Sequence, residues 1–467
     1  MAADDRMSER RRGIVDRILG VVRADPELPH TEMLMVVDRA MALRVLDLAV
    51  RVAESMLTTG ASANDVTLAC SRIAGAYGVR PLHVDVTFNS ITISWQRTVD
   101  REPTTLLRVV RAPAPDHAKL QRLQALVADV EAGMPLDDAI ATFDRTRRTA
   151  FSYRPIAVVA AQGLVTVGVC IFMGASALLT VIAFAAAVLA AVVQRSMARA
   201  RIPFFFSQVV GALVVTAAAA ATAAAGDAGW GPFVEMRASL IVAGSIVLML
   251  SGMSVVAAAQ DAIDGFSLTA QGRVMEIALS TVGVAAGVLG GLHLASLVGI
   301  AIPIATAFPL GSIAQQIGGS VLIAAAVAIV FGSTLRTILL SASLGALAWA
   351  GWLVGMSLGL GSPVSSALGA LVTSFAGILV AHRLHVPSIA VTTAAIVPLV
   401  PGYAVFSGLV ALVDSESTTT LVAGVVQLAG AAAIGLALAA GASLGLLAGA
   451  PVRDTVESVV RGRARLR

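Results

Sequence analysis

The chain has 467 residues, 57% of them hydrophobic, with only 33 Lys and Arg and 29 Asp and Glu. An average soluble chain is roughly 25% charged, so 13% is too little to coat an ordinary globular surface. Residues 1–154 hold 41 of the charges, residues 155–450 only 14 and the last 17 residues 7, which excludes a wholly soluble enzyme, a disordered chain and a secreted disulfide scaffold. What remains is a soluble domain joined to a large polytopic membrane domain.

Residues 1–42 read as a flexible tail, with mixed charge, Pro26 and Pro29, and no sustained periodicity. Residues 43–150 read as a cytoplasmic α+β domain. Leu43, Leu46, Val50, Met56 and Leu57 suit an amphipathic helix that stops at Gly60. Ser62 then caps a second helix, with Asp65 three residues on. Strands are expected over 82–88 and 91–97 around an Asn89-Ser90 turn, with a third over 106–111. Two closing helices follow, over 116–132 and 136–147. About 100 residues suffice for a separate core.

Residues 151–450 read as a transmembrane transporter domain. Ten apolar segments approach the roughly 20 residues needed to cross a hydrocarbon core. They are 155–174, 176–194, 204–225, 238–259, 274–294, 317–333, 337–356, 363–381, 387–413 and 419–448. The stretch 295–316 contains Pro303 and Pro309 and reads as an outer loop or a re-entrant segment. Because the first long apolar run begins at Pro155, no signal peptide is expected. If residue 150 is cytoplasmic, the inner loops carry Arg195, Arg199, Arg201, Arg273, Arg336 and Arg383, whereas the outer loops carry only Arg237. This positive-inside bias places both termini in the cytoplasm. The basic tail, residues 451–467, then meets lipid headgroups. The arginines mark topology, so nucleic acid is not an expected partner. Cys70 and Cys170 cannot form a framework, and neither a metal nor a cofactor is expected.

The two halves of this domain resemble each other. Gly211-Ala212-Leu213-Val214-Val215-Thr216 recurs as Gly369-Ala370-Leu371-Val372-Thr373, and Leu248–Gly252 aligns with Pro398–Gly402. Five helices is an odd number, so a repeat of five would be inverted. Secondary transporters often share that plan, with the site near the bilayer midplane.

Several motifs carry chemistry. Two G-x-S-x-G matches, at Ser357 and Ser443, lie in apolar helices and lack the strand–turn–helix setting of a nucleophile elbow. Glycines at four-residue spacing (Gly351, Gly355, Gly359; Gly283, Gly287, Gly291; Gly441, Gly445, Gly449) read as close-packing ladders. The polar run from Gln260, through Asp261 and Asp264, to Arg273 and Glu276 holds the charges that topology leaves unexplained. Glu276 falls inside an apolar run and so needs a partner or a cavity. Arg273, three residues earlier, is the expected partner, and proton coupling or substrate binding is the alternative. Gln208, Gln427 and Gln162 are further intramembrane polar groups. Pro398, Pro401 and Gly402 interrupt the ninth segment, with Ser251 and Gly252 at the matching place in the fourth. Exposed half-helix ends would suit the carboxylate and ammonium of a zwitterion.

Together these features resemble the bacterial threonine/serine exporters. The resemblance covers about residues 43–450. It rests on Leu57-Thr58-Thr59-Gly60-Ala61-Ser62-Ala63-Asn64-Asp65-Val66, on the strand pair within 84–95, on Ile202-Pro203-Phe204-Phe205 with Gln208-Val209-Val210-Gly211, on the run from Gln260 to Glu276, and on Pro398–Gly402. Many members carry a Pro-Gly pair in both halves, where this chain has Ser251-Gly252 in the first. The resemblance implies a cytoplasmic domain, about ten helices, and export of threonine and serine across the inner membrane driven by the proton motive force. Expected partners are therefore threonine, serine, protons and membrane lipids, and a homo-oligomer is left open. Two rivals stand beside this reading. One is a tethered hydrolase using His83, Asp85 and Ser90, and the other is a non-transporting sensor or scaffold.

Overall fold

The computed structural model describes residues 38–96, 102–110, 114–249, 252–300, 302, 310–384, 386, 388–413 and 418–465. The chain divides into two units, Met1–Ala42 and Leu43–Arg467; of the first, residues 38–42 are described and open a helix.

The N-terminal elements are α1 (Arg39–Thr58), α2 (Ala63–Ala76), β1 (Leu82–Val86), β2 (Ser90–Trp95), β3 (Thr104–Val109), α3 (His117–Glu131) and α4 (Leu136–Arg148). The strands form an antiparallel meander in chain order, with Val84 opposite Ile93 and Ile93 opposite Leu106. Alternation buries Ile91, Ile93 and Trp95 on one face of β2, as a one-sided sheet requires. Leu46, Val50, Ile73, Leu120, Leu123 and Phe143 complete the core. The Ser62 cap forms as the sequence predicts, its hydroxyl accepting from the Asp65 N–H at 3.1 Å. The hairpin turn lies earlier than expected, because Ser90 already belongs to β2 and its carbonyl accepts from the Thr87 N–H at 2.9 Å.

The rest of the chain is helical among the described residues: α5 (Pro155–Phe172), α6 (Ala177–Arg199), α7 (Phe204–Asp227), α8 (Ser239–Met249), α9 (Gly252–Ile263), α10 (Ser267–Leu297), α11 (Ile313–Val330), α12 (Leu335–Ser357), α13 (Ser362–Leu384), α14 (Ser388–Ile396), α15 (Gly402–Val413) and α16 (Thr418–Arg465). Eight of these are long and apolar enough to cross a membrane, which makes this a multi-pass membrane protein. α8, α9, α14 and α15 are shorter pieces. The fifth expected segment begins at Ser267 rather than 274, so Arg273, counted above with an inner loop, sits on the same helix as Glu276. Of the stretch 295–316, residues 301 and 303–309 lie outside the described residues, and with them Pro303 and Pro309. α11 starts sharply at a reciprocal capping box between Ser312 and Gln315.

Glycine ladders set the closest helix approaches. A Cβ on Gly283 or Gly287 of α10 would meet the Phe205 or Val209 carbonyl oxygen of α7. On α16, a Cβ on Gly441 or Gly445 would meet the Ala367 or Leu371 carbonyl oxygen of α13. Thus in each half the fifth segment packs on the third through glycines. Gly351 and Gly355 likewise admit α13 against α12, but Gly359 has a left-handed φ of 75° and ends its helix instead of packing.

Candidate functional site

Of the charged residues singled out in the sequence, Asp261, Asp264 and Arg273 gather at the elbow between α9 and α10. Gly265, at φ 89°, reverses the chain, and the Phe266 N–H returns to the Asp261 carbonyl at 2.7 Å. This fold-back brings Arg273 Nε within 2.7 Å of Asp261 Oδ2, whose side chain is 1% exposed. The N–H is not aimed at the oxygen, so the contact is an ion pair without a directed hydrogen bond. The expected Arg273–Glu276 pair is therefore corrected: the partner of Arg273 is Asp261. Glu276 is half-buried, and it enters no ion pair among the described residues. The physical reason lies in the elbow. An i,i+3 pair on a helix surface competes with water, whereas Asp261 offers Arg273 a carboxylate already out of water.

The same elbow receives the α+β region. The Ala63 N–H at the start of α2 lies against the Asp261 carboxylate, a position favoured by the positive end of the helix dipole. Thr269 Oγ1, buried on α10, donates to the Val86 carbonyl at 3.1 Å. Gly272 lies under the Phe88 ring, where a Cβ would come within 2.5 Å of Cγ. Asp65 faces Asp264 across the junction, and burial, reinforced by that neighbouring charge, raises its pKa. Asp264 is exposed, while Gln260 is half-buried on the last turn of α9.

The second candidate is the interruption between α14 and α15. Val397–Leu399 forms a 3-10 turn, Val400 is extended at φ −70°, ψ 131°, and the helix resumes at Gly402. Pro401 forces that extension, because a residue before proline is barred from helical ψ. Leu399, Pro401 and Gly402 are buried. In the first half, α8 ends at Met249 and α9 begins at Gly252; Ser251 lies outside the described residues. Residues flanking that point face the second interruption: Val247 packs in one cluster with Ala394 and Val397, and Val256 in another with Ile396, Leu399 and Val400. Ser280 Oγ on α10 donates to the Met249 carbonyl at 2.9 Å, supplying a partner for a helix-end acceptor.

Around this meeting point stand groups that the sequence reading passed over. Trp349 and Trp352 stack at 4.5 Å, and Phe172 meets Trp349 edge-on at 4.4 Å. Trp349 Nε1 donates to Gln316 Oε1 at 3.0 Å in the buried interior, and Gln316 Nε2 donates to the Gly311 carbonyl at 2.7 Å. The i,i+3 spacing of two of only four tryptophans was a signal available in the sequence. The other singled-out glutamines divide. Gln208 accepts from Gln194 Nε2 at 3.0 Å and joins α7 to α6. Gln427 keeps a buried Oε1 with no hydrogen-bond partner among the described residues. His83 and Asp85 are exposed on β1, and Ser90 Oγ is held by Thr87 at 2.7 Å, so no nucleophile–base pair forms.

Comparison with known proteins gives a consistent result. A family model described as "Putative threonine/serine exporter" matches residues 47–295, and one described as "Threonine/Serine exporter, ThrE" matches residues 316–444. A "Probable threonine/serine exporter" of Mycobacterium tuberculosis is 31% identical over 425 residues, covering 88% of this chain and 77% of the relative. A "Threonine/serine exporter" of Corynebacterium glutamicum is 29% identical over 413 residues, covering 87% and 83%. No solved structure matches the chain significantly.

Proposed function

The chain belongs to the threonine/serine exporter family, a family of transporters and not of enzymes, and on that footing we propose that it moves threonine and serine outward through the inner membrane in exchange for protons. The observation that carries the reading is the α14–α15 interruption, packed against the residues on either side of Ser251 and Gly252. A free α-amino acid is a zwitterion. Half-helix N-termini at Gly252 and Gly402 attract its carboxylate, and the negative C-terminal ends of α8 and α14 attract its ammonium.

In this reading α8 with α9, and α14 with α15, each make one crossing, so that ten crossings result. Two features support an inverted five-helix repeat. Each half has its interrupted or divided segment fourth, and each packs its fifth segment on its third through glycines. Residues 43–150 and both termini then lie in the cytoplasm, on the side the arginines select, and the basic end of α16 meets lipid headgroups. Glu276 is the proposed proton carrier, since it is half-buried on a membrane helix without an ion-pair partner among the described residues. Asp261 and Arg273 hold the elbow in place, and Gln427 offers a hydrogen bond to the substrate path.

Purified protein in liposomes tests this directly. Labelled threonine or serine should leave faster when the pH gradient drives protons inward. Absence of flux for both amino acids would sink the exporter reading, and flux indifferent to the gradient would sink the proton coupling.

A further inference from the structure

Outside the interrupted helices, the structure holds a cavity of about 860 Å³ between the α+β region and the start of the membrane helices. One wall is the polar side of α1, with Glu54, Ser55 and Thr58; a second is α3 with Lys119; and the floor is Gln162 and Val158 of α5 with Phe331. Gln162 lies two turns into α5, so the cavity reaches from the α+β region into the first membrane helix.

Beside Asp116, whose Oδ1 accepts from the Lys119 N–H at 3.0 Å, and the exposed Arg147, the charges lining this cavity are of two kinds. Asp47 and Arg51 are engaged: Arg51 pairs with Asp144 at 2.5 Å and Asp47 at 3.6 Å, and Arg108 reaches Asp47 at 3.2 Å. Glu54 and Lys119, both half-buried, make no side-chain ion pair or hydrogen bond among the described residues. An acid and a base therefore face one half-open volume without neutralising each other, with Arg147 as a further cation in the lining. The hydroxyls of Thr58 and Thr59 are occupied by their own helix, donating to the Glu54 and Ser55 carbonyls at 2.7 and 2.8 Å. The start of α3 and Tyr153 are held on the turn between α11 and α12. The His117 N–H donates to the Phe331 carbonyl at 2.8 Å, His117 Nδ1 lies 3.1 Å from Ser333 Oγ, and the Tyr153 hydroxyl donates to the Ser333 carbonyl at 2.7 Å.

We propose that this cavity binds a free α-amino acid, with Glu54 holding its ammonium, Lys119 its carboxylate and Gln162 its side-chain hydroxyl, as a loading site ahead of the membrane path. The substrate class rests on the exporter reading; the site itself rests on the cavity and its unpaired acid and base. A charge-neutral ligand with opposite ends satisfies both groups at once, which a simple anion or cation cannot do.

Thiol labelling in the full-length protein tests the site without requiring transport. Cys70 and Cys170 are buried, so a Ser55→Cys variant presents a new thiol inside the cavity. A small maleimide should label it, and millimolar threonine should slow the labelling at least fivefold, whereas acetate or methylammonium should not. Adding Glu54→Gln or Lys119→Gln should raise the threonine concentration needed for protection by tenfold or more, and Glu54→Asp or Lys119→Arg should restore part of it. A thiol that never reacts, protection that ignores both charge changes, or no protection at all overturns the proposal. Protection without flux in liposomes would retain the cavity and reject the exporter reading. Flux without protection would do the reverse.

Discussion

Removing the carboxylate charge of Asp261 should loosen the junction between the α+β region and the α9–α10 elbow. The Asp261 side chain is 1% exposed and that of Arg273 20%, with Nε and Oδ2 2.7 Å apart. Breaking a fully buried pair by removing one partner costs about 3–5 kcal/mol, mostly from the charge left behind. In Asp261→Asn the stranded charge is Arg273, which keeps a path to water, so a cost of about 2 kcal/mol is expected. In Arg273→Gln the stranded charge is the carboxylate, which has almost no such path, and the cost should approach about 4 kcal/mol. Replacing both, as Asp261→Asn with Arg273→Gln, should cost less than the sum of the single changes by about 2 kcal/mol or more. Denaturant unfolding in detergent, followed by amide exchange of residues 62–66, reads both the stability and the junction itself. Equal costs for the two single variants, or simple additivity in the double variant, would refute the reasoning.

Three further outcomes are expected. Gly287→Ala and Gly441→Ala should each destabilise the protein by about 1–3 kcal/mol, because the new methyl meets a backbone carbonyl; Gly290→Ala, with its nearest neighbour at 3.9 Å, should be tolerated in the same thermal assay. Burial lowers the His117 pKa from 6.5 to about 4. The fold therefore favours the neutral ring, and the stabilisation, present above pH 6.5, should be lost as pH falls through that window, by about 3 kcal/mol at most; His117→Gln should flatten the acid limb of a stability-against-pH curve. Finally, Glu276→Gln should abolish acceleration of threonine efflux by a pH gradient while leaving membrane expression intact, and efflux driven normally in this variant would remove Glu276 from the proton path.

Much of the architecture was legible one residue at a time. Charge scarcity marked the membrane part, because each ionised group in hydrocarbon costs several kcal/mol whatever surrounds it. Pro398, Pro401 and Gly402 announced an interruption, because a missing N–H and a barred ψ are local properties of the chain. Ser62 with Asp65 announced a helix start for the same reason. Pairing across distance was not legible. Nothing in the spacing of Asp261 and Arg273 says that an elbow at Gly265 will fold one onto the other, so the nearer Glu276 looked like the natural partner. Nor does anything in the sequence bring Glu54 of α1 and Lys119 of α3 together. Only the seating of the α+β region on Phe331 and Ser333 turns them into opposite walls of one cavity. The sequence by itself determined where water is excluded and where the backbone must bend, since both follow from composition and local sterics. The tertiary structure alone decided which charges meet and which stay free, since an ion pair depends on burial and approach that no single helix contains.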